Sequence, residues 1–225
     1  MKRVDDKPLI YNLYDNPVSG AEIETRSFAA IDAEAQQYDM SPQQWQVARR
    51  LIHTTADFAI AELVRFSDDA FSACAQALNA GAKIYADSNM IRSGLSVARL
   101  QQVNPTYQRE DICCHVADED VAELAKQKGL PRSLFAVQKA KQMLHGSIVL
   151  IGNAPVALLE INRLAIEEGI RPALVIGMPV GFIHVLESKE ELLETGLPHV
   201  ILTGRRGGSP LAVACLHAMC AVACE

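Results

Sequence analysis

Up to residue 81 the apolar positions of this chain recur at helical spacing; beyond it, short apolar runs alternate with helical stripes. A break over residues 17–20 precedes a helix predicted over 21–37. Ser41-Pro42-Gln43-Gln44 is a helix start signal: a Ser cap, Pro at the first helical position, and Gln three residues after the Ser. Trp45, Ala48, Ile52, Ala59 and Leu63 then recur at three- and four-residue steps, with Thr55 or Ala56 filling the turn between. That stripe predicts one helix running to about Phe66. Ser67-Asp68-Asp69 predicts the cap of another helix, which ends at Gly81.

From there strands are predicted over 83–86, 111–116, 147–151, 173–177 and 199–203. Helices are predicted over 118–128, from a Ser133 cap to His145, and over 155–168, 188–194 and 210–223. The run Ile148-Val149-Leu150-Ile151 has no polar position, as expected of a strand covered on both faces. Strands alternating with helices of about 10–15 residues predict βαβ units and a parallel sheet. The simplest account is one α/β domain over residues 1–225 with a helical N-terminal portion.

Composition narrows the class. A chain of 225 residues, 49% apolar and 21% charged, is that of an ordinary globular protein able to bury its own core. The formal net charge of −6 argues against a nucleic-acid binder, which would be basic. It leaves room for an anionic small ligand, because a few arginines in a cleft can oppose the overall sign. No stretch approaches the ~18 apolar residues of a spanning helix, and the polar start carries no secretory signal, so no membrane association and a cytoplasmic location are expected. Cys74, Cys113, Cys114, Cys215, Cys220 and Cys224 form no C-x-x-C pair and read as reduced, mostly buried thiols. No zinc motif, G-x-S-x-G, Walker A or G-x-G-x-x-G pattern occurs, so neither a metal site nor a nucleotide fingerprint is expected.

Ligands of open parallel sheets bind beyond the carboxyl ends of the strands, and three such loops stand out. Ile151-Gly152-Asn153-Ala154-Pro155 leaves a strand and enters a helix, where free N–H groups could hold a carboxylate; a plain tight turn is the equal alternative. Gly177-Met178-Pro179-Val180-Gly181-Phe182 reads as a rigid structural loop. Thr203-Gly204-Arg205-Arg206-Gly207-Gly208-Ser209-Pro210 combines guanidinium forks, glycines and a helix start, an anion-binding composition. On the long helix, Arg49, His53 and Asp57 are spaced by four residues and should share one face, with Asp57 placed to orient the imidazole. A surface salt-bridge stripe is the bland alternative there.

Taken in order, these segments resemble the precorrin isomerases, also called precorrin-8X or cobalt-precorrin-8 methylmutases. The resemblance is carried by Ile23-Glu24-Thr25-Arg26-Ser27-Phe28, by Arg50-Leu51-Ile52-His53-Thr54-Thr55-Ala56-Asp57-Phe58 and by Ala86-Asp87-Ser88-Asn89-Met90. It continues through the three strand-tip loops, with Glu187-Ser188-Lys189 after the second. It implies a flavodoxin-like three-layer α/β/α fold with a mainly parallel sheet, and a homodimer. The implied reaction moves a methyl group between adjacent ring-C carbons of a tetrapyrrole-derived substrate in cobalamin biosynthesis, with no cofactor. It implies His53 as the catalytic residue and Ser27, Ser96 and Arg132 as substrate contacts. Arg205, Arg206, Gly207, Gly208 and Asn153 suit a carboxylate-fringed macrocycle, with Arg49 and Asp57 in support. Some relatives of the metal-free route have Gly soon after the histidine. His53-Thr54-Thr55-Ala56 looks more like the cobalt branch, in which any cobalt arrives within the substrate. Two other readings are a corrinoid-binding carrier without turnover and a phosphate-binding α/β enzyme using residues 204–209.

Overall fold

The computed structural model describes residues 8–224. They fall into two compact units, divided between Gln37 and Tyr38. The first holds α1 (Tyr11–Asp15) and α2 (Gly20–Glu34), the latter capped by the Ser19 hydroxyl accepting from the Glu22 N–H.

The second unit carries the sheet. It begins with α3 (Pro42–Thr55), α4 (Ile60–Leu63), β1 (Val64–Phe66), α5 (Ala70–Asn79) and β2 (Ile84–Ala86). Then come α6 (Asn89–Gly94), α7 (Val97–Val103), β3 (Ile112–Cys113), α8 (Glu119–Lys128), α9 (Arg132–Leu144) and β4 (Ile148–Ile151). The chain closes with α10 (Pro155–Glu168), β5 (Leu174–Gly177), α11 (Val185–Glu194), β6 (His199–Leu202) and α12 (Ser209–Ala223).

The strand order is β1-β6-β5-β4-β2-β3, parallel throughout except that β1 pairs antiparallel with β6. Counting the parallel strands alone, this is the flavodoxin-like order, with its reversal between β2 and β4. β4, β5 and β6 are buried at every position. On one face Tyr85, Val149, Ile151, Val175 and Ile201 pack with Val137, Leu144, Leu158, Ile161 and Leu192 of α9, α10 and α11. On the other, α12 lies against β4 and β5, and α3, α5, α6 and α7 pack on α12. Each large aliphatic side chain fully withdrawn from water contributes about 1.5–3 kcal/mol, which is why this two-sided core dominates.

Two expectations need correction. The long helix does not reach Phe66: α3 stops at Thr55 and Ala56 turns left-handed at φ 52, ψ 33. The apolar positions at 59–66 instead form α4 and the antiparallel strand β1, whose alternation was hidden under a helical spacing that happened to continue. The start of α9 also differs: Pro131 occupies the cap position and Ser133 is the buried second residue of the helix. No helix among the described residues is long and apolar enough to cross a membrane.

Ala56 is a left-handed cap without glycine's freedom, a conformation costing an L-residue about 1 kcal/mol. Ala56→Gly should therefore raise the unfolding free energy by about 0.5–1 kcal/mol, read as a higher urea midpoint with unchanged slope.

Candidate active site

The geometry is built from the sheet's carboxyl edge. Asp87, the residue after β2, is 1% exposed. Its carboxylate accepts the backbone N–H groups of Gly152 (3.1 Å), Asn153 (2.8 Å) and Ala154 (2.7 Å). Burial pushes this carboxyl above its ordinary range, with the amide donors pulling the other way. Of the two equal alternatives for this turn, amides open to a ligand's carboxylate or a plain tight turn, the structure shows amides that already hold a carboxylate from the protein. Asn153 presents its exposed side chain outward instead.

The next two loops are stitched to the first. Met178 N–H donates to the Ile151 carbonyl (2.7 Å), Gly208 N–H to the Met178 carbonyl (2.9 Å), and Gly181 N–H to the Arg205 carbonyl (3.3 Å). The backbones approach so closely that a Cβ on Gly207 would lie 2.2 Å from the Met178 oxygen. One on Gly152 would lie 2.8 Å from Ser209 Cα. The hydroxyls of Ser88 and Ser209 meet at 2.9 Å, and Ser88 also accepts the Ile91 N–H at the start of α6. The tips of β2, β4, β5 and β6 are therefore one assembly. The second loop is tied into this assembly by its backbone, and it also displays Phe182, 81% exposed, with the Arg205 guanidinium 5.5 Å from its ring centre.

Sequence reasoning missed the support beneath the arginines. Lys189 is 2% exposed, and its Nζ donates to the carbonyls of Gly204 and Arg206 at 2.8 Å each. Desolvation lowers its pKa to about 8. The signal was available: Val185, Ser188, Lys189 and Leu192 form the buried stripe of α11, so the lysine stands at a core position.

The end of α3 meets this assembly from the side. β1 pairs Val64 with Leu202, and Thr203 N–H donates to the Leu63 carbonyl (2.9 Å), which brings the chain after α3 to the carboxyl edge. Asp57 lies two residues beyond the helix, so it does not share a face with Arg49 and His53. It does not orient the imidazole by helical spacing. Its Oδ2 pairs with Arg206 and its Oδ1 accepts the Ala59 N–H. Arg49 is half-buried on α3, and His53 is exposed in the last turn. Arg50 and Thr54 line a hollow of about 420 Å³ with Met90, Gly94, Ser209, Pro210, Val213, Ala214 and His217. His53 is thereby flanked in sequence by Thr54, facing this hollow, and by Asp57, tied to the arginine loop.

Ser96 caps α7, its Oγ accepting the Arg99 N–H (3.4 Å), and its own N–H donates to His217 Nε2 (3.0 Å), which connects it to the same hollow. Burial, then the charges of Arg99 and Arg50, push the His217 pKa down to about 4. Arg132 opens α9, whose other end runs directly into the start of β4, so Arg132 sits toward the carboxyl edge. It lines a separate hollow of about 780 Å³ with Glu119, Lys126 and Leu130, and is not brought into the arginine loop. Ser27, on α2, donates its hydroxyl to the Ile23 carbonyl (2.8 Å). No three His, Cys, Asp or Glu side chains among the described residues gather as metal ligands. Cys74, Cys215 and Cys220 are buried free thiols.

The arrangement offers guanidinium groups, an exposed aromatic ring and a half-apolar hollow, with an exposed imidazole next in sequence to Thr54 of that hollow. That set can grip a large flat anion and hand a proton or hydrogen bond to it.

A family model described as precorrin-8X methylmutase matches residues 22–222. The cobalt-precorrin-8 methylmutase of Leptospira interrogans is 44% identical over 209 residues, 89% of this chain and 92% of that protein. The precorrin-8X methylmutase of Pseudomonas aeruginosa is 38% identical over 202 residues, 89% of this chain and 94% of its own. The crystal structure of a precorrin-8X methyl mutase from Thermus thermophilus superposes with a TM-score of 0.82 at 43% identity, covering 91% of this chain and 97% of that one.

Replacing Asp87 with Ala leaves buried amides without an acceptor and should cost about 3 kcal/mol of stability, measured by denaturant unfolding. Lys189 carries a pH signature. Its folded pKa of about 8 lies below the ordinary lysine value, so between those limits the unfolded chain holds a proton the folded chain has released. The penalty of the buried ammonium is full below pH 8 and is relieved as pH rises toward 10. Unfolding free energy measured across that window should gain a rising contribution that Lys189→Met abolishes.

Proposed function

This chain belongs to the precorrin-8X methylmutase family, and from that membership we propose that it moves a methyl group between adjacent ring-C carbons of cobalt-precorrin-8, an isomerisation in cobalamin biosynthesis. The observation that carries the reading is the tie between Asp57 and Arg206, which joins the end of the histidine-bearing helix to the arginine loop at the strand tips.

The substrate is a flat apolar ring fringed with carboxylates. The Gly204–Ser209 loop would take the fringe through Arg205 and Arg206, and exposed Phe182 offers a face to the ring. Gly207 and Gly208 act by letting that loop close onto Met178. A 1,5-methyl shift is an internal rearrangement: no atom enters or leaves, so the protein's part is to hold the ring in a reactive shape and stabilise the rearranged conjugation. His53 is the general acid in this reading, donating a proton or hydrogen bond to the macrocycle. Ser27, Ser96, Arg132 and Asn153 are assigned as further substrate contacts. We assign the protein no resident cofactor; cobalt is part of the substrate. A homodimer in the cytoplasm completes the proposal.

The cobalt branch is favoured by the name of the 44%-identical relative and by the Thr54-Thr55 pair after the histidine. A carrier without turnover finds no counterpart among the relatives named above, all of which are methylmutases.

His53→Ala should lower the rate of methyl migration by about 10²–10⁴-fold while corrinoid binding stays within a few-fold of wild type. Conversion followed by absorbance, with cobalt and metal-free substrates in parallel, tests both residue and branch. Undiminished turnover by the variant removes the imidazole from the mechanism.

A further inference from the structure

The hollow between α3, α6 and α12 is not accounted for by the arginine loop. Met90, Val213 and Ala214 give it apolar lining, Arg50 and His217 give it polar lining, and no acidic side chain contributes to it. At about 420 Å³ it is too small for a macrocycle but ample for a side arm and the ring edge that bears it.

His217 defines its chemistry. Nε2 accepts the Ser96 N–H at 3.0 Å, so that nitrogen carries no proton and the tautomer assigned by this bond places the proton on Nδ1. The ring is neutral, in keeping with its lowered pKa. Among the described residues Nδ1–H has no hydrogen-bond acceptor in the protein. The charges of Arg99 and Arg50 bear on the same ring, and Arg50 lines the hollow itself.

We propose that this hollow is a subsite for one carboxylate arm of the ring substrate, with His217 its neutral hydrogen-bond donor. Arg50 and Arg99 supply the favourable field, and the apolar lining takes the methylene stem. The assignment rests on the macrocyclic reading above and adds to it a binding residue on α12. It also explains why a histidine, and not a third arginine, stands here. The imidazole must accept from Ser96 on one side while donating on the other, and a guanidinium has no acceptor.

The test uses the full chain and two probes: hydrogenobyrinate, with its side-arm carboxylates free, and its fully methyl-esterified counterpart, each titrated by absorbance. His217→Phe removes the donor, and Val213→Phe fills the hollow while leaving the imidazole; thermal melts confirm that each variant folds. Both should weaken binding of the free acid by about tenfold, the size of one lost hydrogen bond to a charged group, and should narrow the preference for acid over ester. Wild-type affinity and preference in both folded variants overturns the subsite and leaves the macrocyclic reading standing. Failure of wild type to bind either probe overturns the macrocyclic reading, and this subsite with it.

Discussion

The strand tips depend on one dry carboxylate. The strand order reverses between β2 and β4, and at such a point neighbouring crossovers leave on opposite faces and open a crevice. Here Asp87 reaches into it from β2 and takes up the amides at the start of α10. Withdrawing a carboxylate from water costs several kcal/mol, and charge-assisted bonds from fixed amides are what can offset it. The arrangement fixes the Gly152 turn, and Gly152 in turn presses on Ser209 at backbone distance. The first residue of α12, and with it the arginine loop, is positioned from the far side of the reversal.

Rigidity and accessibility are then separated by depth. Beneath the loop, Lys189 holds two carbonyls from a dry position, and Gly207 meets Met178 with no room for a side chain. Above it, Arg205 lies on an exposed ring and Arg206 on a carboxylate whose pair is open to solvent on both partners. An exposed pair of that kind is worth about 0–1 kcal/mol, small enough to be exchanged for a substrate's carboxylate. An acidic chain can in this way offer a basic edge: the loop backbone is held by buried groups beneath it, so its guanidinium groups are not needed to hold it.

The periodic parts of this architecture were legible and the non-local parts were not. α10 was readable to the residue because Pro155 and Gly169 mark its ends, and β4 because four branched or aliphatic residues admit no other reading. β1 was missed because its residues continue the three- and four-residue spacing of α3, and nothing at Ala56 announces a left-handed turn. At the site, the arginine loop and the histidine could be picked out from residue type, and the family resemblance joined them. The partner choices could not: Asp57 abandons the helix for Arg206, 149 residues away, and Asp87 takes amides 65 to 67 residues on. His217 became visible only when the fold put Ser96, 121 residues earlier, against it. Pairings at such separations leave no trace in local spacing.

Ala56 shows where strain is stored. A non-glycine residue in the left-handed region costs about 1 kcal/mol or more and persists only where its surroundings demand it. The demand here is identifiable. A straight continuation of α3 would carry Asp57 around its own helix face, toward His53; the left-handed turn throws it outward to Arg206 and lets β1 enter the sheet in antiparallel register with β6. The turn therefore detaches the aspartate from the imidazole. The local cost at Ala56 is what takes Asp57 off the α3 stripe and into the arginine loop.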